Sequence, residues 1–330
     1  MLKATPAAAP DCGAPGDRPA WYQYLPVSTE PIDKPRSRLM LAIRVGVGAL
    51  AVAFVVWTFA SLARRVDLAM LEVSWGWAAV SVLPLIFGVY VLAYGFALLL
   101  ARMSQLKIPL RAAMYMQIES QLARYTPGKV GVPLVRLAAA QQLGVTRRVM
   151  ASAMGVEALC FLAVGGALGL SALMLTKSHA PPAVAAQVAW LWPLVVAFTV
   201  GTLALVFVDR RFFPAAVVRL LKLEGNGPLV PATLLATHAL YWATWALHGL
   251  CVSRAVGASL DVAMAGSGLF ILAPIVGFLA LVAPAGAGVR EALLTAGLAP
   301  AIGATGAIAA AILSRMASVI ADFGAWLASR

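Results

Sequence analysis

"YTPGKVGVPLVR", Tyr125–Arg136, sets two prolines, two glycines and two cations in twelve residues. The surrounding chain has 330 residues, of which 62% are hydrophobic and only 12% charged. A soluble domain is closer to half apolar and about one quarter charged, so the composition defines an all-α polytopic membrane protein. Broken backbone at membrane depth is tolerated only where protein surrounds it or where it lines a water-filled cavity. The stretch therefore marks an internal site.

Uncharged runs give the crossings. Val45–Ala63, Ala78–Ala101 and Val184–Val208 carry no charge and reach or exceed the roughly 20 residues that span a bilayer as helix. Val149–Thr176 is a further run with Glu157 inside it, Pro228–Ser253 carries only His238 and His248, and Pro300–Leu327 contains Arg315 and Asp322. About six crossings are expected. Residues 1–38, rich in Pro and Ala with mixed charge, read as a disordered tail.

Loop charge orients the spans. Arg102–Arg148 holds eight Lys/Arg against the single acid Glu119, and Asp209–Gly227 holds Arg210, Arg211, Arg219 and Lys222 against Asp209 and Glu224. Both belong on the cytoplasmic side. With Lys34, Arg36, Arg38 and Arg44 also inside, the two termini are expected in the cytoplasm.

Two segments remain. Pro109–Gly144 is too apolar for a plain loop, yet it begins and ends on one side. Pro109 can open a helix whose apolar stripe is Leu110, Met114, Ile118 and Leu122, with Gln117, Ser120, Gln121 and Arg124 on a polar one. Pro127, Gly128 and Gly131 break it, and a second helix begins near Pro133. The same pattern returns in "PAGAGVRE", Pro284–Glu291, where Pro284, Gly286 and Gly288 form the break. Aligning Pro127 with Pro284 matches Gly131 with Gly288, so both read PxxxGV. The expectation is two re-entrant broken-helix hairpins entering from opposite sides. They would form an inverted repeat of about residues 78–176 and 228–328 within a membrane domain of residues 39–330. Such repeats place a site near the bilayer midplane.

The run from Arg124 through "YTPGKVGVPLVRLAAAQQLGV", with Glu157 in the next helix, and "LVAPAGAGVREALL", followed by a helix with Arg315, resembles the flippase-like transmembrane region of lysylphosphatidylglycerol synthases. The resemblance covers roughly Leu39–Leu327. Members often carry a second glycine beside the one matched by Gly131, where this chain has Val130 and Val132. The resemblance implies an inverted-repeat helical fold in a bacterial-type cytoplasmic (inner) membrane and movement of a lipid between leaflets. Proposed family substrates include aminoacyl phospholipids, polyprenyl-linked lipids and hopanoids. The chain shows no soluble aminoacyltransferase segment, so translocation and not synthesis is expected.

The residues themselves suggest the ligand. Arg124, Lys129 and Arg136 flank the first break, and Arg290 with Glu291 flanks the second. A cation at a membrane-helix centre costs about 2.5–3.5 kcal/mol on insertion scales, so such groups usually face a cavity. Arg suits bidentate contact with phosphate. Arg124, Lys129, Arg136, Arg290 and Arg315 are thus the candidate substrate-binding set for an anionic or phosphate-bearing head group. The competing reading has Arg124 and Arg136 meeting lipid phosphates at the cytoplasmic face, as a basic loop would. Glu157, Glu291 and Asp322 are coupling or ion-pair candidates, with Arg136 and Arg315 the available partners for Glu157. Arg315 and Asp322 share a helical face but lie seven residues apart, too far for a direct local pair. His238, Trp242, Trp245 and His248 read as packing or interfacial residues, or as the lining of a lipid path.

Cys12, Cys160 and Cys251 lack metal-ligand or CxxC spacing, and no HExxH, GxSxG or Walker loop occurs. No enzyme, metal or cofactor is expected. The net charge of +12 sits in short clusters beside apolar runs, which favours anionic lipid over nucleic acid. The alternatives are a secondary transporter for a small soluble anion and a non-transporting partner of a lipid-modifying enzyme. The topology has a direct test. Cysteines introduced at Lys177 and Val256 should label from outside and those at Gln141 and Gly225 from inside; labelling of Gln141 from outside removes the opposed-hairpin arrangement.

Overall fold

A computed structural model describes residues 72–125, 130–176, 192–207, 230–280 and 286–330, and these form helices with no strand. The expected tail, the first expected span, the basic loop at 209–227, and Pro127, Gly128, Lys129 and Pro284 lie outside the described residues. The helices are α1 (Trp75–Val80), α2 (Val82–Ser104), α3 (Leu110–Leu122, extended by a 3-10 turn over Ala123–Tyr125) and α4 (Gly131–Gln142). They continue as α5 (Arg147–Thr176), α6 (Trp192–Phe207), α7 (Ala232–Ala255), α8 (Leu260–Leu279) and α9 (Val289–Ala328).

Local chemistry sets the ends of these elements. Pro109 stands at the N-cap of α3, as the sequence suggests. Ser259 caps α8, its side chain accepting from the Val262 N–H, and Asp261 in the first turn complements the helix dipole. The expected last helix, Pro300–Leu327, is instead the larger part of α9, whose break falls three residues later than Pro300. Gly303 sits at φ 74, ψ 161, which a residue with a Cβ rarely adopts, so the glycine and not the proline locates the kink.

By length and composition, four helical stretches among the described residues can cross a membrane: Trp75–Ser104, Arg147–Thr176, Leu260–Leu279 and Val289–Ala328. The 13-residue α3 and 12-residue α4 span about 20 and 18 Å at 1.5 Å per residue, short of a roughly 30 Å hydrocarbon core. α7 has the length of a span but a more polar composition, with Thr237, His238, Thr244 and His248. Its packing explains this. α7 contacts α1, α2, α5, α8 and α9, so most of its surface meets protein, and Trp242, His238 and His248 are fully buried.

Apolar clusters surround this helix. One joins Leu85, Val164, Trp242, Ile271 and Ala317; another joins Val252, Phe270, Leu294 and Ala307. Lipid gives helices no hydrophobic drive to associate, so close packing of small residues takes that role. Gly268 on α8 faces the Gly169 carbonyl of α5: a Cβ there would lie 2.6 Å from that oxygen. Hydrogen bonds add direction, with Trp242 Nε1 donating to the Phe161 carbonyl at 3.1 Å and Tyr90 Oη to the Ala325 carbonyl at 3.0 Å.

The polar stripe of α3 faces inward. Gln117 and Ser120 are buried together with Met116 and Ile118, while Leu110 is 41% exposed, so the buried polar groups are enclosed by protein as a hydrocarbon exterior requires. Gly268→Ala should destabilise the fold by about 1–3 kcal/mol through overpacking against backbone. Gly76→Ala, where a Cβ meets nothing within 4 Å, should change it little. Thermal unfolding in detergent reads the difference.

Candidate functional site

α9 supplies most of the site. Its first turn presents Arg290 and Glu291, and beyond the Gly303 kink one face carries Arg315, Ser318 and Asp322. The end of α3 brings Arg124 and Tyr125 against that face. Arg124 Nη2 donates to Asp322 Oδ2, and Tyr125 Oη donates to the same oxygen at 2.5 Å. The Tyr125 ring also lies 6.0 Å from the Arg315 guanidinium and 5.5 Å from that of Arg124. Arg315 and Asp322, too far apart to pair with each other, are thus both met by one tyrosine from the other half of the chain.

Glu291 links the second break to the same cluster. Its Oε2 accepts the Gly288 N–H at 2.7 Å, and its Oε1 lies 3.6 Å from Arg315 Nε. Gly288 and Gly286, with φ of 84 and 71, need the conformational freedom of glycine. Gly286 packs on the backbone of Gly277 in α8, where a Cβ on Gly286 would lie 2.6 Å from the Gly277 Cα. The aliphatic stem of Arg290 crosses Gly277 as well, and its guanidinium stacks 5.0 Å from the Trp245 ring centroid. Arg290, Glu291, Arg315 and Asp322 are all buried, whereas the Arg124 side chain is 26% exposed.

A small pocket opens beside these groups. Leu85, Val89 and Leu92 of α2 form its apolar wall; Gln121 and Arg124, Tyr241 and Trp245, and Ser318 and Asp322 form the others. Charged groups drawn from both halves of the chain meet at one apolar-walled pocket.

Arg136 is elsewhere. Its guanidinium pairs with Glu157 and its Nε donates to Ser120 Oγ at 2.9 Å; Gln117 Nε2 donates to the other Glu157 oxygen at 2.7 Å. The Phe96 ring lies 4.7 Å from the same guanidinium. Of the two partners available to Glu157, the structure chooses Arg136, and this network ties α2, α3, α4 and α5 together away from the pocket. Gly131 is the first residue of α4. His248 bridges three elements: Nδ1 donates to the Ser81 carbonyl at 2.9 Å, which leaves Nε2 to accept from Ser314 Oγ at 2.9 Å. His238 Nδ1 donates to the Leu234 carbonyl at 2.8 Å. Both histidines are packing residues. Among the described residues, no three His, Cys, Asp or Glu gather as a metal site.

Sequence reasoning missed Tyr125 and read Trp245 as a packing or interfacial residue or as the lining of a lipid path. Tyr125 stands beside Arg124 in the opening stretch, and an aromatic phenol next to a helix break is the signal that points to it. Trp245 joins the site only through the fold.

The arrangement defines a helical membrane protein with a buried, internally paired charge cluster. Residues 41–324 match the family model of the lysylphosphatidylglycerol synthase TM region, and the chain belongs to that family. No curated protein and no solved structure matches it. Membership associates the chain with membrane lipids.

Glu157→Gln leaves Arg136 buried without its counter-ion and should destabilise the fold by about 3–5 kcal/mol. The double change Arg136→Met/Glu157→Leu should recover most of that loss, because an apolar pair of similar volume replaces the ions. Denaturation in detergent compares the two.

Proposed function

We propose that the protein is a lipid translocase that moves an anionic or phosphate-bearing lipid between leaflets of a bacterial cytoplasmic membrane, with both termini in the cytoplasm. The observation that carries this reading is the meeting of Arg124 and Tyr125 with Arg290, Glu291, Arg315 and Asp322 beside a pocket whose other wall is Leu85, Val89 and Leu92. A head group crossing hydrocarbon needs polar partners that replace water, while its acyl tails need none. A pocket charged on one side and apolar on the other meets both requirements.

The element order supports an inverted repeat. Each half reads as a long helix, a second helix, a break, a short helix and a long helix: α2, α3, α4 and α5 in the first; α7, α8 and the two parts of α9 in the second. In this reading the segments around Pro127 and Pro284 are opposed re-entrant breaks, and the ion pair between Arg124 and Asp322 joins the end of α3 to α9. Exchange of that pair for a ligand anion gives a way to couple head-group capture to movement of the halves. The proposed role is transport and not catalysis.

Reconstitution tests it. In vesicles with fluorescent anionic phospholipid, the protein should expose inner-leaflet label to an external quencher. Arg124→Gln or Arg290→Gln should lower the rate tenfold or more, from loss of a charge-assisted contact of about 1.5–3 kcal/mol. Arg102→Gln, on an exposed position outside the pocket, should not. Uptake of a soluble organic anion without lipid movement would favour the secondary transporter, and the absence of both would favour a partner of a lipid-modifying enzyme.

A further inference from the structure

The pairing pattern limits the charge of the ligand. Arg124 is matched by Asp322, and Arg315 lies 3.6 Å from Glu291. Arg290 is 7% exposed, makes no ion pair among the described residues, and has a buried Nε with no hydrogen-bond partner. It is also held in place. Its stem is pressed on Gly277, where a Cβ would meet the Arg290 Cδ at 2.9 Å, and its guanidinium rests on Trp245, which lines the pocket. Arg124, Tyr125, Glu291 and Arg315 all lie within its electrostatic reach.

Among the described residues, three guanidiniums therefore face two carboxylates, and one positive charge is left over. We propose that Arg290 holds the anion of the ligand, and that the site takes a singly charged phosphodiester head group in preference to a doubly charged phosphomonoester. This rests on the translocase reading for the placement of the ligand in the pocket. A single negative charge neutralises the cluster. A second would be buried without a counter-ion or would have to take up a proton, and both are unfavourable in a low-dielectric site. Trp245 acts as a shelf that fixes the guanidinium plane, so a planar fork and not a mobile point charge meets the phosphate oxygens.

The test uses the full chain in detergent at about pH 8, where a phosphomonoester, with a second pKa of about 6, carries both charges. The probes are short-chain phosphatidylglycerol, short-chain phosphatidate and the soluble diester glycerophosphoglycerol, with binding read by calorimetry. Phosphatidylglycerol should bind at least about tenfold more tightly than phosphatidate. Arg290→Gln should weaken phosphatidylglycerol binding about tenfold and erase the preference, and Arg290→Lys should restore part of it. Tighter binding of phosphatidylglycerol than of glycerophosphoglycerol assigns the diester to a lipid; equal binding assigns it to a soluble source, with the charge rule intact. Phosphatidate binding as tightly as phosphatidylglycerol overturns the proposal, as does an Arg290→Gln protein that binds phosphatidylglycerol like the wild type. If Arg290→Gln does not fold, the comparison of the two lipids on the wild type still decides. Diester binding through Arg290 in a protein that moves no lipid in vesicles would sink the translocase reading and leave this one standing.

Discussion

Asp322 carries a negative charge into the interior of a helix long and apolar enough to cross a membrane, with 2% of its surface exposed. A carboxylate in that setting persists only with a counter-charge and hydrogen bonds. Both come from a segment 198 residues away, through Arg124 and Tyr125. That requirement draws the end of α3 onto α9, where Arg315 in turn lies against Glu291. The pocket beside α2 is the space this convergence leaves.

α7 makes the convergence sterically workable. Because it is enclosed by five other helices, it can carry Trp242, Trp245, His238 and His248 where a lipid-facing helix carries Leu and Phe. Its neighbours approach through glycines: Gly249 receives Phe270, and Gly165 receives Trp242. In hydrocarbon, where apolar surface is no drive to association, these contacts and the hydrogen bonds across helices hold the bundle. The inward polar stripe of α3 follows the same rule, as does the network of Arg136, Glu157, Gln117 and Ser120.

The turn before α9 serves a different purpose from the kink within it. Gly286 and Gly288 adopt positive φ so that the chain can turn tightly over Gly277 and set Arg290 and Glu291 on the first turn of α9. Gly303 bends α9 so that Glu291 and Arg315, far apart along the chain, come within 3.6 Å. The charges are placed by backbone that only glycine permits.

Composition and periodicity by themselves determined the helical membrane class, the helices ending at the Tyr125–Arg136 break, and the residues on which charge falls, because hydropathy and helix-breaking act locally. The same reasoning named Arg136 as a partner of Glu157 without deciding between it and Arg315. Three things needed the tertiary structure. The Pro300 boundary moved to Gly303, since a proline can ride inside a helix whose kink a glycine takes. The polar residues within α7 are explained only by its enclosure among five other helices. Arg124, Arg290 and Arg315 gathered in one charge cluster while Arg136 joined a separate network with Glu157, since ion pairing between segments of distant sequence depends on how the helices pack, and no local pattern encodes that distance.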